Sequence, residues 1–125
     1  MNYLYYKLDE SKNVVPCNTI TETDWNNRRV CETGFRVYQY RKPKKGGYKK
    51  ESKKVSVWIS TVFLVLDHSF DGKEPLVFET MVFFGNRTGR RSPYEQYQVR
   101  CSTWEQAVQM HKDTVKLISN RHRKH

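Results

Sequence analysis

The chain has 125 residues, with 23 Lys or Arg against 13 Asp or Glu and a formal net charge of +10. That length suits one domain around one ordinary core. Three widely spaced cysteines, Cys17, Cys31 and Cys101, with no CxxC pair argue against a disulfide scaffold and for free thiols in a reducing compartment. No apolar run reaches the roughly 18 residues that a membrane-spanning helix needs, and the opening MNYLYYKLDE carries charge too early for a signal peptide.

The first predicted element is an aromatic-rich strand, Tyr3 to Leu8, followed by a polar turn, Asp9 to Asn13, and a return strand, Val14 to Cys17. Thr21 or Thr23 is placed to cap a short helix running to Arg29, with Asp24 in its first turn and Trp25 expected to face the core. Beyond Gly34, the alternation of Phe35, Val37 and Gln39 against Arg36, Tyr38 and Tyr40 predicts a strand.

Charge then becomes concentrated. Residues 41–54, RKPKKGGYKKESKK, hold eight basic residues and one Glu. Pro43, the Gly46-Gly47 pair and mutual repulsion argue for a mobile loop. A long hairpin arm is the other reading, with Tyr38 and Tyr40 paired to Val55 and Val57 around the segment. Arg87, Arg90 and Arg91 form a second basic run, and Arg121, Arg123 and Lys124 lie in a basic tail, 120–125. The rest of the chain is mildly acidic, at about −3. Such patches attract nucleic acid, anionic lipid or an acidic protein surface.

The stretch from 55 to 85 predicts a central hairpin. Its apolar runs, Val57 to Leu66 and Leu76 to Phe84, flank a polar connection containing Asp71-Gly72 and Pro75. A turn centred near Asp71 sets Glu79 opposite Phe63. Asp71-Gly72 lacks the spacing and closing Glu of a calcium loop and reads as a turn. After a loop from Gly85 to Pro93, Tyr94 to Cys101 predicts another strand, with Tyr97, Val99 and Cys101 on one face and Gln96, Gln98 and Arg100 on the other.

The last element is a helix over 103–119. Ser102 and Glu105 are spaced as a capping box, and Trp104, Ala107, Val108, His111, Val115 and Ile118 form one apolar stripe. The expected fold class is α+β: an antiparallel sheet of the central hairpin, strand 94–101 and the N-terminal strands, packed by this helix. The expected organisation is a single domain over 1–119, a basic insertion at 41–54 and a tail.

Two segments, WISTVFLVLDHSFDGKEPLVFETMVFFG and YQVRCSTWEQAVQMH, carry a resemblance. They resemble a widespread family of small proteins of tailed bacteriophages and prophages. The likeness covers Val57 to His111, and more loosely Pro16-Cys17 and the region from Trp25 to Gly34. Ser60, Thr61, Phe63, Asp67, His68, Phe78, Glu79, Thr80, Met81, Ser102, Thr103, Trp104, Glu105 and His111 fall on its motif positions. It implies a phage-encoded accessory protein acting in the bacterial host cytoplasm, with no catalytic role to transfer. Against the family pattern, 41–54 stands as an insertion, and Gly85 to Pro93 is longer and more basic.

Asp67, His68, Glu79 and His111 are the residue types that bind a divalent metal and activate water. The hairpin spacing keeps Asp67 and Glu79 roughly 13 Å apart along the strand. Glu79 and His111 are therefore expected as a structural polar pair within hydrogen-bond reach, without metal or cofactor. The Ser60-Thr61 pair has no adjacent base in sequence and reads as strand packing.

The leading expectation is a non-enzymatic accessory protein that binds nucleic acid or an acidic host protein complex, such as a nucleic-acid-handling or defence system it would inhibit. The binding residues expected are Lys44, Lys45, Tyr48, Lys49, Lys50, Lys53, Lys54, Arg87, Arg90 and Arg91, with Tyr48 placed to stack on bases. The alternatives are a metal-dependent hydrolase or nuclease, and a homo-oligomeric assembly protein with paired edge strands.

Overall fold

A computed structural model describes residues 5–41, 51–67, 74–84 and 92–121. The fold is α+β. Strands β1 (Tyr5–Leu8) and β2 (Val14–Cys17) precede a short helix, α1 (Glu22–Asn26). Then come β3 (Arg29–Arg41), β4 (Glu51–Phe63), β5 (Phe78–Phe84) and β6 (Ser92–Cys101), and finally helix α2 (Trp104–Arg121). Strands β3 to β6 form an antiparallel sheet in chain order, whereas β1 and β2 form a separate two-stranded hairpin and do not extend it. The hairpin is tied to the sheet's end by the Tyr6 amide, which donates to the Val65 carbonyl at 2.7 Å. Its turn closes on Asp9, whose Oδ1 accepts from the amides of Ser11 (2.9 Å) and Asn13 (2.8 Å).

Alternation along each strand sorts the side chains. Val37, Val57, Ile59, Phe63, Phe78 and Val82 point to one face, where they are buried with Ala107 and Ile118 of α2. A side chain such as Phe78 or Ile59, wholly out of water, contributes about 1.5–3 kcal/mol of burial. The stripe on α2 that sinks deepest is Ala107, His111, Thr114 and Ile118. Trp104 and Val108 are half-buried. Trp104 packs edge-on to Phe78, 6.4 Å between ring centroids, under the Lys12 ammonium at 5.1 Å.

Several expectations are corrected. Trp25 does not face the core: it is 50% exposed. The Arg28 guanidinium lies over its ring at 4.0 Å and donates through Nε to the Trp25 carbonyl. The helix carrying Trp25 is one and a half turns long, too short to reach inward, and is closed by a Thr21–Asp24 capping box. The box at the start of α2 is shifted by one residue. Thr103 Oγ1 accepts from the Gln106 amide at 3.1 Å, and Gln106 Oε1 accepts from the Ser102 and Thr103 amides at 3.2 Å. Helix α2 runs to Arg121, past Asn120. The three cysteines are free, as the spacing implied.

The basic segment 41–54 is partly strand. The ladder between β3 and β4 runs out to Arg41 opposite Glu51, so Glu51 to Lys54 belong to β4; a hairpin arm is present, but Tyr38 faces Lys54 and Tyr40 faces Ser52, not Val55 and Val57. Strand β5 reaches only as far as Val57, which it meets with Phe84. The β3–β4 ribbon thus projects six residues beyond the three-strand region, roughly 20 Å at strand rise.

Candidate partner-binding end of the sheet

Chain direction decides where the basic segments leave the sheet. Strand β3 enters residues 42–50 at Arg41 and β4 returns at Glu51. Strand β5 enters 85–91 at Phe84 and β6 returns at Ser92, paired with Phe84. In an antiparallel meander alternate connections fall at the same end, so both basic connections start and finish at one end of the sheet. The second is rooted at the base of the projecting ribbon. Lys44, Lys45, Tyr48, Lys49, Lys50, Arg87, Arg90 and Arg91 themselves lie outside the described residues. Lys53 is in β4, its backbone opposite Gln39. Lys54 is exposed and opposite Tyr38, with Nζ 5.4 Å from the Tyr38 ring centroid. The Lys54 carbonyl accepts from Arg36 Nη2 at 3.4 Å.

Arg36 and Tyr38 join Lys54 at this end, on the face of the sheet turned away from α2. They were not among the residues expected to bind. The period-two alternation of Arg36 and Tyr38 against Phe35 and Val37 was visible in sequence. What was missing was the knowledge that α2 covers only the Phe35–Val37 face.

The polar residues on the resemblance motifs do not converge. His111, 5% exposed, is clasped by threonines: Nδ1 lies 2.7 Å from Thr61 Oγ1 and Nε2 lies 2.8 Å from Thr33 Oγ1. Thr61 in turn meets the Thr80 hydroxyl. Hydroxyls serve as donor or acceptor, so this chain satisfies a neutral imidazole in either tautomer. Burial holds the His111 pKa below its ordinary value, with the nearby Glu32 charge opposing. Glu79 lies on the opposite face, correcting the expected Glu79–His111 pair. Its Oε2 accepts from Arg100 Nε at 2.9 Å and Gln98 Nε2 at 2.8 Å. Asp67 is occupied in turn formation, Oδ1 accepting from the Leu76 amide at 2.9 Å. His68 lies outside the described residues. Among the described residues no three His, Cys, Asp or Glu side chains stand close enough to share a metal ion.

A separate cleft lies between the β1–β2 turn and the start of α2, lined by Lys12, Asn13, Glu74, Ser102 and Trp104.

No helix among the described residues is long and apolar enough to cross a membrane. Comparison of the chain with protein-family models, with curated proteins and with solved structures gives no match.

Proposed function

We propose that this protein is a non-enzymatic binding protein that engages an acidic partner, a nucleic acid or the acidic surface of a host protein that handles nucleic acid, through the basic end of its sheet. The observation that carries this reading is the shared origin of the two basic connections at one end, beside the projecting β3–β4 ribbon. The local charge there comes from eight basic residues in 41–54 and three in 87–91. Lysine and arginine at this density concentrate a polyanion and release its counterions on contact. A His111 ring bonded on both sides to threonines, and a Glu79 bonded to Arg100 on the other face, favour packing roles over hydrolysis. The motif resemblance over Val57 to His111 supports a phage-type accessory protein working in the bacterial cytoplasm, where an inhibitor of a host defence complex needs charge and shape and no chemistry.

The test is charge reversal of Lys44, Lys45, Lys49 and Lys50 to Glu. The thermal midpoint should stay within a few degrees, while binding of partner recovered from bacterial extract weakens at least tenfold. For duplex DNA each lost phosphate contact should flatten the slope of log affinity against log salt by about 0.9. A protein partner is distinguished by a complex that survives nuclease treatment. Undiminished binding by the reversed protein refutes the reading.

A further inference from the structure

Strand β3 is an outer edge of the larger sheet, paired with β4 on one side only. Its main contacts are with β4 and with α2, which lies on one face of the sheet. From Val30 to Val37 no backbone hydrogen bond runs outward to another described segment. Alternate N–H and C=O groups of that stretch therefore point to the open side. Gly34 and Arg36 are exposed there, and Cys31, Glu32, Thr33 and Phe35 are half-buried. The opposite edge is different. Strand β6 carries Pro93 and falls out of step with β5 between Met81 and Phe83. Proline and bulges are what keep an edge from pairing. Strand β3 has no proline and pairs without irregularity from Cys31 to Arg41.

We propose that β3 is a self-association edge: two copies of this chain join antiparallel along it, about a two-fold axis at Gly34, into one continuous sheet. Like faces must meet across such a pair, so the axis passes through a residue and not between two. Within the regular run Glu32 is the acid, and Arg36 is the base that shares its face. An axis at Gly34 sets Glu32 of each copy opposite Arg36 of the other, so the pair forms twice. It also sets Thr33 opposite Phe35, and Cys31 opposite Val37, all on the helix side. Glu32 already meets Arg29 at 3.2 Å, and a carboxylate has lone pairs for a second cation. Arg36 gives up only a long bond to the Lys54 carbonyl, 3.4 Å. Gly34 puts no side chain of its own at the axis. The two β3–β4 ribbons then point in opposite directions, which holds the basic connections of the two copies apart. The association does not depend on which acidic partner the basic end takes.

Sedimentation velocity of the full chain over about a hundredfold range of concentration should show passage from monomer to dimer. In hydrogen exchange over the same range, alternate amides between Val30 and Val37 should slow as concentration rises, and those of β6 should not. Arg36→Glu sets like charges opposite each other twice and should weaken association by about fivefold or more. Adding Glu32→Arg to Arg36→Glu re-forms both pairs with their signs reversed and should restore it, with thermal melts to exclude misfolding. A monomer at every concentration, assemblies larger than a dimer, protection on β6 in place of β3, or a dimer indifferent to Arg36→Glu refutes the proposal. A doubly exchanged chain that melts like the wild type yet stays as weak as Arg36→Glu refutes the axis at Gly34. Should that chain melt early, the exchange pattern of the wild type decides alone.

Discussion

Gly34 lies against the ring of Trp58. A Cβ at position 34 would stand 2.7 Å from two carbons of the Trp58 indole, inside the distance that real side chains tolerate. The two residues are opposite each other in the β3–β4 ladder, so the added methyl pushes on the Trp58 side chain directly. Gly34→Ala should therefore lift the indole and destabilise the fold by about 1–3 kcal/mol, the usual cost of overpacking. A thermal melt together with a shift in tryptophan emission checks this; an unshifted spectrum at wild-type stability would show that the contact yields freely.

His111 makes stability depend on pH. Its folded pKa is held below the ordinary value of 6.5 by burial. The unfolded chain therefore binds the proton more readily, and stability must fall as pH drops below about 6.5, levelling once the folded ring also protonates. Above that window the contribution is flat. Denaturant titrations of wild type and His111→Asn across pH 5 to 8 should show this acid loss in the wild type and a reduced loss in the variant. A wild-type profile no steeper than the variant's would contradict the threonine-clasped neutral ring.

Arg100 and Glu79 form a partly buried pair, with side-chain exposures of 29% and 9%. Removing Arg100 alone leaves a carboxylate with little water and, among the described residues, only Gln98 as a remaining hydrogen-bond partner. Arg100→Leu should cost about 1–3 kcal/mol. The double replacement Arg100→Leu with Glu79→Leu should cost less than the single one, because the stranded charge is gone. Chemical denaturation of the two variants decides the order, and a double variant less stable than the single would mean the pair adds net stability.

Trp104 is half-buried, so its loss should be milder than removal of a fully enclosed aromatic. It gives up the edge contact to Phe78 and the Lys12 cation over its ring. Trp104→Ala should cost about 2–3 kcal/mol, below the 3–5 kcal/mol typical of a core aromatic. A loss of less than about 1 kcal/mol would show that α2 is anchored entirely by Ala107, His111, Thr114 and Ile118.

The periodic signals were legible. Two apolar runs, an alternating strand before Cys101 and the helical stripe after it were enough to place the sheet and α2. The Glu79–His111 expectation shows where legibility ended. A turn centred on Asp71 puts Glu79 opposite Phe63, on the helix side; in the observed ladder Phe78 faces Phe63, and Glu79 faces Val62. One residue of register moves a side chain to the other face. The register is set by the Leu64 amide donating to the Val77 carbonyl, by Val65 at a φ of 72°, and by Asp67 holding the Leu76 amide. A β-branched residue in the left-handed region is not foreseeable from sequence. Trp25 and the shifted capping box failed for a similar reason: Thr103 with Gln106 and Ser102 with Glu105 fit the same spacing rule, and only the backbone path chooses between them. The basic residues proposed to bind were legible as charge density, but the origin of their two segments at one end needed the strand order.

That strand order also bears on how the chain acquires its structure. Each pairing in the larger sheet joins strands that follow one another along the polypeptide, with no crossover. Every new pair is then a short search, and the entropy of closing each loop is modest. Proteins built from such near-neighbour pairings sit toward the fast side of β-containing folders. The outermost positions of the β3–β4 ribbon, Tyr38 to Arg41 opposite Glu51 to Lys54, lie beyond both β5 and the buried Val37, and can zip and unzip without reopening the core. Backbone amides from Gln39 to Arg41 should accordingly exchange with solvent deuterium sooner than those from Ile59 to Phe63, through openings of the tip that leave the body of the sheet intact.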